Sequence, residues 1–293
     1  MKRSTPPIGS GSREDSTTAA QQPVPLPHYR VSAGPQDFPD LVAFWDFQDD
    51  GDRAALLGEP YTLRQAAGEV ARVEAAGNPW GPYAAHLLEG QYFSIARSDC
   101  PLLDVHGPGQ AVTVVAWIQR ERKTARQCEF IAGQWNETNL GRQYGLFLDI
   151  PAYGQDHKVS AHVSTHGGPT PGYRYCMDVA YSRTAVTWHE WHCVGLSYDG
   201  QQAAAWLDGL LEQQPTVNPY LLPGGLNDGG TRGSDFTVGA VHRGGEMGNF
   251  FTGLLGGLGV WRRALSPAEM WALADPELVP GPSQRASGTN LDQ

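Results

Sequence analysis

Short runs of β-branched and aromatic residues, each broken off by Gly, Pro, Asn or Asp, dominate this chain between residues 41 and 265. Such punctuation leaves no room for long helices and asks for many short strands joined by turns. The runs lie near 41–48, 91–96, 112–120, 129–135, 143–150, 158–165, 191–199, 203–208, 236–242 and 252–262. In 158–165, Val159, Ala161 and Val163 share one face, while Ser160, His162, Ser164 and then His166 share the other. A period of two with one apolar and one polar face predicts an antiparallel sheet covered on one side. The fold class expected is therefore all-β, a two-sheet antiparallel jelly-roll β-sandwich. One short C-terminal helix is expected, because Ser266-Pro267-Ala268-Glu269 carries a capping box with Pro at the first helical position. Met270 and Leu273 would pack down against the sheet. The weaker helical stretch Leu63 to Val73 reads as a loop with one helical turn.

Thirty-one acidic against 21 basic residues leave a net charge of −10, which argues against nucleic acid or an anionic membrane surface as the main partner. No run approaches the roughly 20 apolar residues of a membrane helix, so membrane insertion is not expected. Residues 1–37 are poor in apolar side chains and read as a disordered tail ending in a Pro-rich linker, and 278–293 read as a second tail, leaving one domain over 38–277. Lys2 and Arg3 imitate the start of a signal peptide, but no apolar stretch follows, so no export signal is expected in the sequence as given. An extracytoplasmic role would require a truncated start. Cys100, Cys128, Cys176 and Cys193 contain no C-x-x-C pair and read as buried thiols, with a single Cys176–Cys193 disulfide as the alternative.

Four segments in order carry a family resemblance. They are Trp45-Asp46-Phe47, the stretch Glu190-Trp191-His192-Cys193-Val194 through Tyr198-Asp199-Gly200, then Ala205-Trp206-Leu207-Asp208-Gly209, and Phe251-Thr252-Gly253 followed by Val260-Trp261-Arg262-Arg263-Ala264-Leu265-Ser266 and Glu269. Together they resemble the laminin-G-like jelly-roll group of the concanavalin A-like lectins and glucanases over roughly 41–275. Most of these residues read as scaffold: turn chemistry at Asp199-Gly200 and Asp208-Gly209, and backbone or carboxylate contacts for Arg263. Members often carry acidic residues after the closing F-x-G, whereas this chain has Gly256 and Gly257 there.

The resemblance implies that calcium is a possible cofactor. Asp46-x-Gln48-x-Asp50-Gly51 imitates an EF-hand start, but Leu57 stands where the loop needs Glu, so Asp49, Asp50 and Asp52 read as a solvated turn. Asn227-Asp228-Gly229-Gly230 with Asp235 is a second candidate that also reads as a turn-rich loop.

Polar and aromatic residues crowd the centre of the chain beyond what a scaffold requires. Sugars are recognised by flat aromatic faces and by planar hydrogen-bonding groups that read hydroxyls. Trp135, Tyr144, Tyr173 and Tyr175 would supply the faces, and Gln134, Asn136, Arg142, Gln143, His162 and His166 the polar groups. His162 would then face either a groove or plain solvent. Asn136-Glu137-Thr138 also forms a glycosylation sequon.

The expected function is a carbohydrate-binding, lectin-like module for an oligo- or polysaccharide. The alternative is a polysaccharide lyase in the same groove: Arg142 with Gln143 or Gln134 to neutralise a uronate, His162 as base, and Tyr173 or Tyr175 as acid. A glycoside hydrolase is less favoured, because Glu137, Asp149, Asp178 and Glu190 are scattered and no glucanase E-x-D-x-x-E strand is present. A third reading is a protein-interaction module using loops at one end of the sandwich, so a protein partner stays open.

Overall fold

The structure, a computed structural model, describes residues 34–49, 53–123, 127–150 and 155–274. Most of both expected tails lies outside these residues, as do Asp50 and Asp52 of the imitation EF-hand loop. Gly34 and Pro35, assigned to the tail by composition, are buried, and the Asp37 carboxylate accepts the Gly34 N–H at 2.7 Å.

In chain order the strands are β1 (Leu41–Trp45), β2 (Arg53–Ala54), β3 (Leu57–Gly58), β4 (Thr62–Ala66), β5 (Ala71–Glu74), β6 (Tyr83–Leu87) and β7 (Tyr92–Ile95). The central part of the chain supplies β8 (Val112–Arg120), β9 (Glu129–Gln134), β10 (Tyr144–Ile150), β11 (Gln155–Val163), β12 (Val179–Ala185) and β13 (Trp191–Tyr198). The remainder are β14 (Gln202–Leu207), β15 (Leu210–Leu211), β16 (Tyr220–Leu221), β17 (Phe236–Val238), β18 (Val241–Arg243), β19 (Glu246–Gly248) and β20 (Gly253–Trp261), followed by the helix α1 (Pro267–Ala274). No helix among the described residues is long and apolar enough to cross a membrane.

A ten-stranded antiparallel sheet runs β15-β14-β13-β8-β20-β1-β3, with β16 beside β14 and the β5–β6 pair on β20. An eight-stranded sheet runs β12-β11-β10-β9-β17-β7-β4-β2 and faces it. Their inner faces close over one apolar core that includes Trp45, Phe93, Tyr144, Tyr198 and Phe236, all buried. Two expectations are corrected here. The stretch 63–73 is β4 and β5, not a loop with a helical turn, and 236–242 is split into β17 and β18.

The outer face of the ten-stranded sheet is also covered. Phe44, Trp80, Trp117, Trp206 and Trp261 pack there beneath Met270 and Leu273 of α1. The predicted cap forms: the Glu269 carboxylate accepts the Ser266 N–H at 2.7 Å and grips Arg263 through two bonds of 2.8 and 2.7 Å. Gly256 and Gly257 now have a physical reason. A Cβ on Gly257 would meet the Trp80 ring at 2.5 Å, and one on Gly256 would meet the Asn78 side chain at 2.3 Å. Both positions are covered by residues of the β5–β6 loop. The expected turns also form, with Asp208 and Gly209 both at positive φ between β14 and β15.

All four cysteines are free thiols. Cys176 packs on the outer face of the eight-stranded sheet and Cys193 on that of the ten-stranded sheet, so the alternative disulfide does not form. Cys128 is half-buried, while the other three are buried.

Candidate functional site

Strand pairing fixes where each expected site residue goes. Gln134 on β9 pairs with Tyr144 on β10 and with Phe236 on β17, so these three side chains share a face. Tyr144 and Phe236 belong to the inter-sheet core, which takes Gln134 inside with them. Gln134 is fully buried, and neither its amide N nor its amide O has a partner. The Tyr144 hydroxyl donates to the Leu103 carbonyl at 2.6 Å, and burial drives the phenol pKa well above its usual value. Gln143 turns its amide away, donating to Asp104 at 2.9 Å.

His162 lies on the opposite face, as the alternation predicts, yet that face is neither groove nor solvent. The imidazole meets Trp135 and Phe147 edge to face, with ring centroids 5.3 and 5.0 Å away. Phe130, Cys176 and Val241 complete this small apolar cluster. The β18–β19 hairpin, distant in sequence, supplies Val241 and the loop after β11 supplies Cys176, so two segments outside the strand close over it. His162 is 7% exposed, and its Nδ1 has no partner. Burial first, and the Arg142 guanidinium second, lower its pKa from 6.5 to about 3.

Arg142 is buried too. Its Nη1 donates to the Gly167 carbonyl at 3.1 Å, and its guanidinium carbon lies 5.9 Å from the Trp135 ring centre. Glu137 accepts the Trp135 indole N–H at 3.3 Å. Asn136 is 5% exposed, with its side-chain oxygen capping the Asn139 N–H at 2.9 Å, so the sequon asparagine is sheathed in the folded chain.

The remaining candidates reach solvent on one loop. His166 is exposed, and its Nδ1 accepts the Gly168 N–H at 3.2 Å. The Tyr173 N–H donates to the Thr170 carbonyl at 2.9 Å, the Thr170 N–H donates to the Tyr175 carbonyl at 3.1 Å, and the Thr170 hydroxyl accepts the Met177 N–H at 2.7 Å. This closed turn holds Tyr173 and Tyr175 outward, 54% and 41% exposed, with the Arg174 guanidinium 5.3 Å from the Tyr175 ring centre. Sequence reasoning missed one neighbour. Tyr220 donates its hydroxyl to Asp178 at 3.2 Å, and its pKa rises to about 12 through burial, Asp178 and nearby groups that include Tyr173. No local pattern marks Tyr220, since β16 is two residues long.

The lyase set therefore does not gather. Arg142 and His162 are sealed beneath the loop, Gln143 points to Asp104, and the two tyrosines stand outside. Asp149 faces the Arg120 guanidinium at 3.5 Å, in a buried cluster where Arg120 forks onto Glu129 at 3.1 and 2.8 Å.

The calcium candidate at Asp228 is held by a cation of the chain itself. Arg97 donates to Asp104 at 2.9 Å and to Asp228 at 3.2 Å, and its backbone N–H donates to Asp235 at 3.0 Å. A guanidinium set between these carboxylates does not suit a divalent cation. Among the described residues no group of three His, Cys, Asp or Glu side chains is placed to hold a metal.

A family model described as the concanavalin A-like lectin/glucanases superfamily matches residues 90–270. No curated protein matches the sequence. Among solved structures, domain 4 of AbnA, an extracellular arabinanase from Geobacillus stearothermophilus solved with arabinotriose, aligns with a TM-score of 0.54 and 15% identity over 80% of this chain and 98% of that one. The binding domain of Paraclostridial Mosquitocidal Protein 1 aligns with a TM-score of 0.52 and 14% identity over 83% of this chain and 53% of that one. The binding domain of Botulinum neurotoxin DC, solved with rat synaptotagmin II, aligns with a TM-score of 0.51 and 7% identity over 82% and 52%. The chain thus spans about half the length of the toxin domains. At such identities the likeness is one of fold.

Proposed function

The chain belongs to the concanavalin A-like lectin/glucanase superfamily, and on that premise we propose that it is a carbohydrate-binding module whose contact surface is the closed loop Thr170–Tyr175. One observation carries this reading. Of the aromatic residues expected to stack on sugar, Trp135 and Tyr144 are buried, whereas Tyr173 and Tyr175 present their rings to solvent from a backbone pinned by hydrogen bonds. A tyrosine offers a flat apolar face to sugar C–H groups and a hydroxyl to sugar oxygens, and it loses little side-chain freedom on binding. The arabinanase domain, which holds arabinotriose on a related sandwich, makes arabino-oligosaccharides a reasonable first probe.

Titration calorimetry against a panel of oligosaccharides tests the reading. Tyr173→Ala and Tyr175→Ala should each weaken binding about tenfold, the scale of one lost aromatic contact. Polymer length should stay constant during incubation, and no absorbance of unsaturated sugar should develop. An unchanged affinity in the double variant would refute the loop as the contact surface. Capture of a protein partner with no glycan response would refute the carbohydrate reading.

A further inference from the structure

The same loop is set apart by its charge. No Asp or Glu lies between His157 and Met177, in a chain carrying 31 acidic residues and a net charge of −10. Arg174 sits at the exposed tip of this acid-free stretch and has no ion-pair partner among the described residues. The carboxylates that border the loop are occupied. Asp178 is 5% exposed, accepts the Tyr220 hydroxyl at 3.2 Å and lies 3.9 Å from the Cys176 sulfur. Glu137 accepts the Trp135 N–H and stands 4.0 Å from the Arg142 guanidinium, which itself bonds the loop at Gly167. His166, whose Nδ1 is used as an acceptor, is left with Nε2–H as an exposed donor.

An unpaired guanidinium between two exposed phenols, on an otherwise acidic protein, can donate to the hydroxyls of a neutral glycan but gains most from an anionic one. It matches a sugar that carries an anionic group, because its fork can donate two hydrogen bonds to one carboxylate or sulfate while the tyrosines hold the ring. We propose that the loop selects an acidic saccharide, with Arg174 as the specificity-determining residue. The proposal rests on the binding role given to Tyr173 and Tyr175. The protein's overall negative charge repels polyanions at long range, so the selectivity is local and arises after encounter.

The test uses the full chain and three size-matched oligosaccharides: one neutral, one built of uronic acids and one sulfated. Binding is measured at about 50 and about 300 mM salt, a range over which screening of exposed charges rises steeply. The wild type should bind at least one acidic ligand about tenfold more tightly than the neutral one at low salt, and the margin should shrink at high salt. Arg174→Gln should erase that margin, through a loss of affinity for the acidic ligand larger than any loss for the neutral one. Arg174→Lys should keep more of the sulfate margin than of the carboxylate margin, since it retains the charge and loses the fork. Equal affinity for neutral and acidic ligands, or a margin untouched by Arg174→Gln, overturns the proposal. If Tyr173→Ala still weakens every ligand in that case, the binding loop stands and only its selectivity falls. If no saccharide binds, or none responds to either tyrosine, both readings fall.

Discussion

His162 separates a buried structural imidazole from a working base, and acidification distinguishes the two. In the fold its pKa is about 3, against a usual 6.5. Between these values the unfolded chain takes up a proton that the folded chain refuses. Stability from this group is therefore complete above pH 6.5 and is lost progressively as pH falls toward 3. The slope approaches about 1.4 kcal/mol per pH unit, and integration from about pH 7 to about pH 4.5 gives about 2.5 kcal/mol. The perturbation is His162→Phe. It fits an aromatic cluster already built from Trp135, Phe147 and Phe130, and it removes an Nδ1 that has no partner. At neutral pH the variant should unfold within about 1.5 kcal/mol of the wild type. Urea unfolding at stepped pH reads the effect, with the variant gaining on the wild type by about 2.5 kcal/mol on acidification over that range. Carboxylates with lowered pKa, such as Glu212 and Asp228, are common to both proteins and cancel in the difference. Parallel pH curves for the two proteins would refute the burial of His162, and a base in reach of substrate would again have to be considered.

Three further outcomes follow from the packing. Arg120→Met removes the guanidinium fork from the fully buried Glu129, which keeps Lys123 at 3.8 Å, and should cost about 3–5 kcal/mol in urea unfolding, with Glu129→Gln in the same background restoring part of it; simple additivity would contradict the coupling. Gly257→Ala drives a methyl into Trp80 and Trp117 and should cost about 1–3 kcal/mol, seen as a Tm lower by about 2–12 °C, whereas an unchanged Tm would mean that the Trp80 loop shifts freely. Glu269→Gln should lose about 1–2 kcal/mol at neutral pH by weakening the Arg263 fork and the cap. Since the carboxyl pKa is held down to about 2, that deficit should persist through mild acid and close only as pH falls from about 4.5 toward 2.

Strands with strong alternation or β-branched runs could be read to within a residue or two, as with β8 at Val112–Arg120 and β10 at Tyr144–Ile150. The failure at 63–73 has a cause. Leu63, Arg64, Gln65 and Ala66 of β4, with Arg72 and Glu74 of β5, are good helix formers, and pairing with β7 and β6 overrides that preference. The candidate site was legible in part. Alternation correctly sent His162 away from Val159, Ala161 and Val163, because side-chain direction along a strand is local geometry.

Sequence alone thus sufficed for the two-faced strands, the Asp208–Gly209 turn and the Ser266 cap, since each depends on residues close together in the chain, and for the superfamily, since four short motifs in order carry it. Only the tertiary structure decided which polar residues meet solvent. The face bearing His162 is closed by Val241 and Cys176, from segments that no strand period can bring into register with it, while the turn at Thr170 keeps Tyr173, Arg174 and Tyr175 outside. Exclusion of water is a property of packed neighbours, and in this protein those neighbours come from outside the strand they cover.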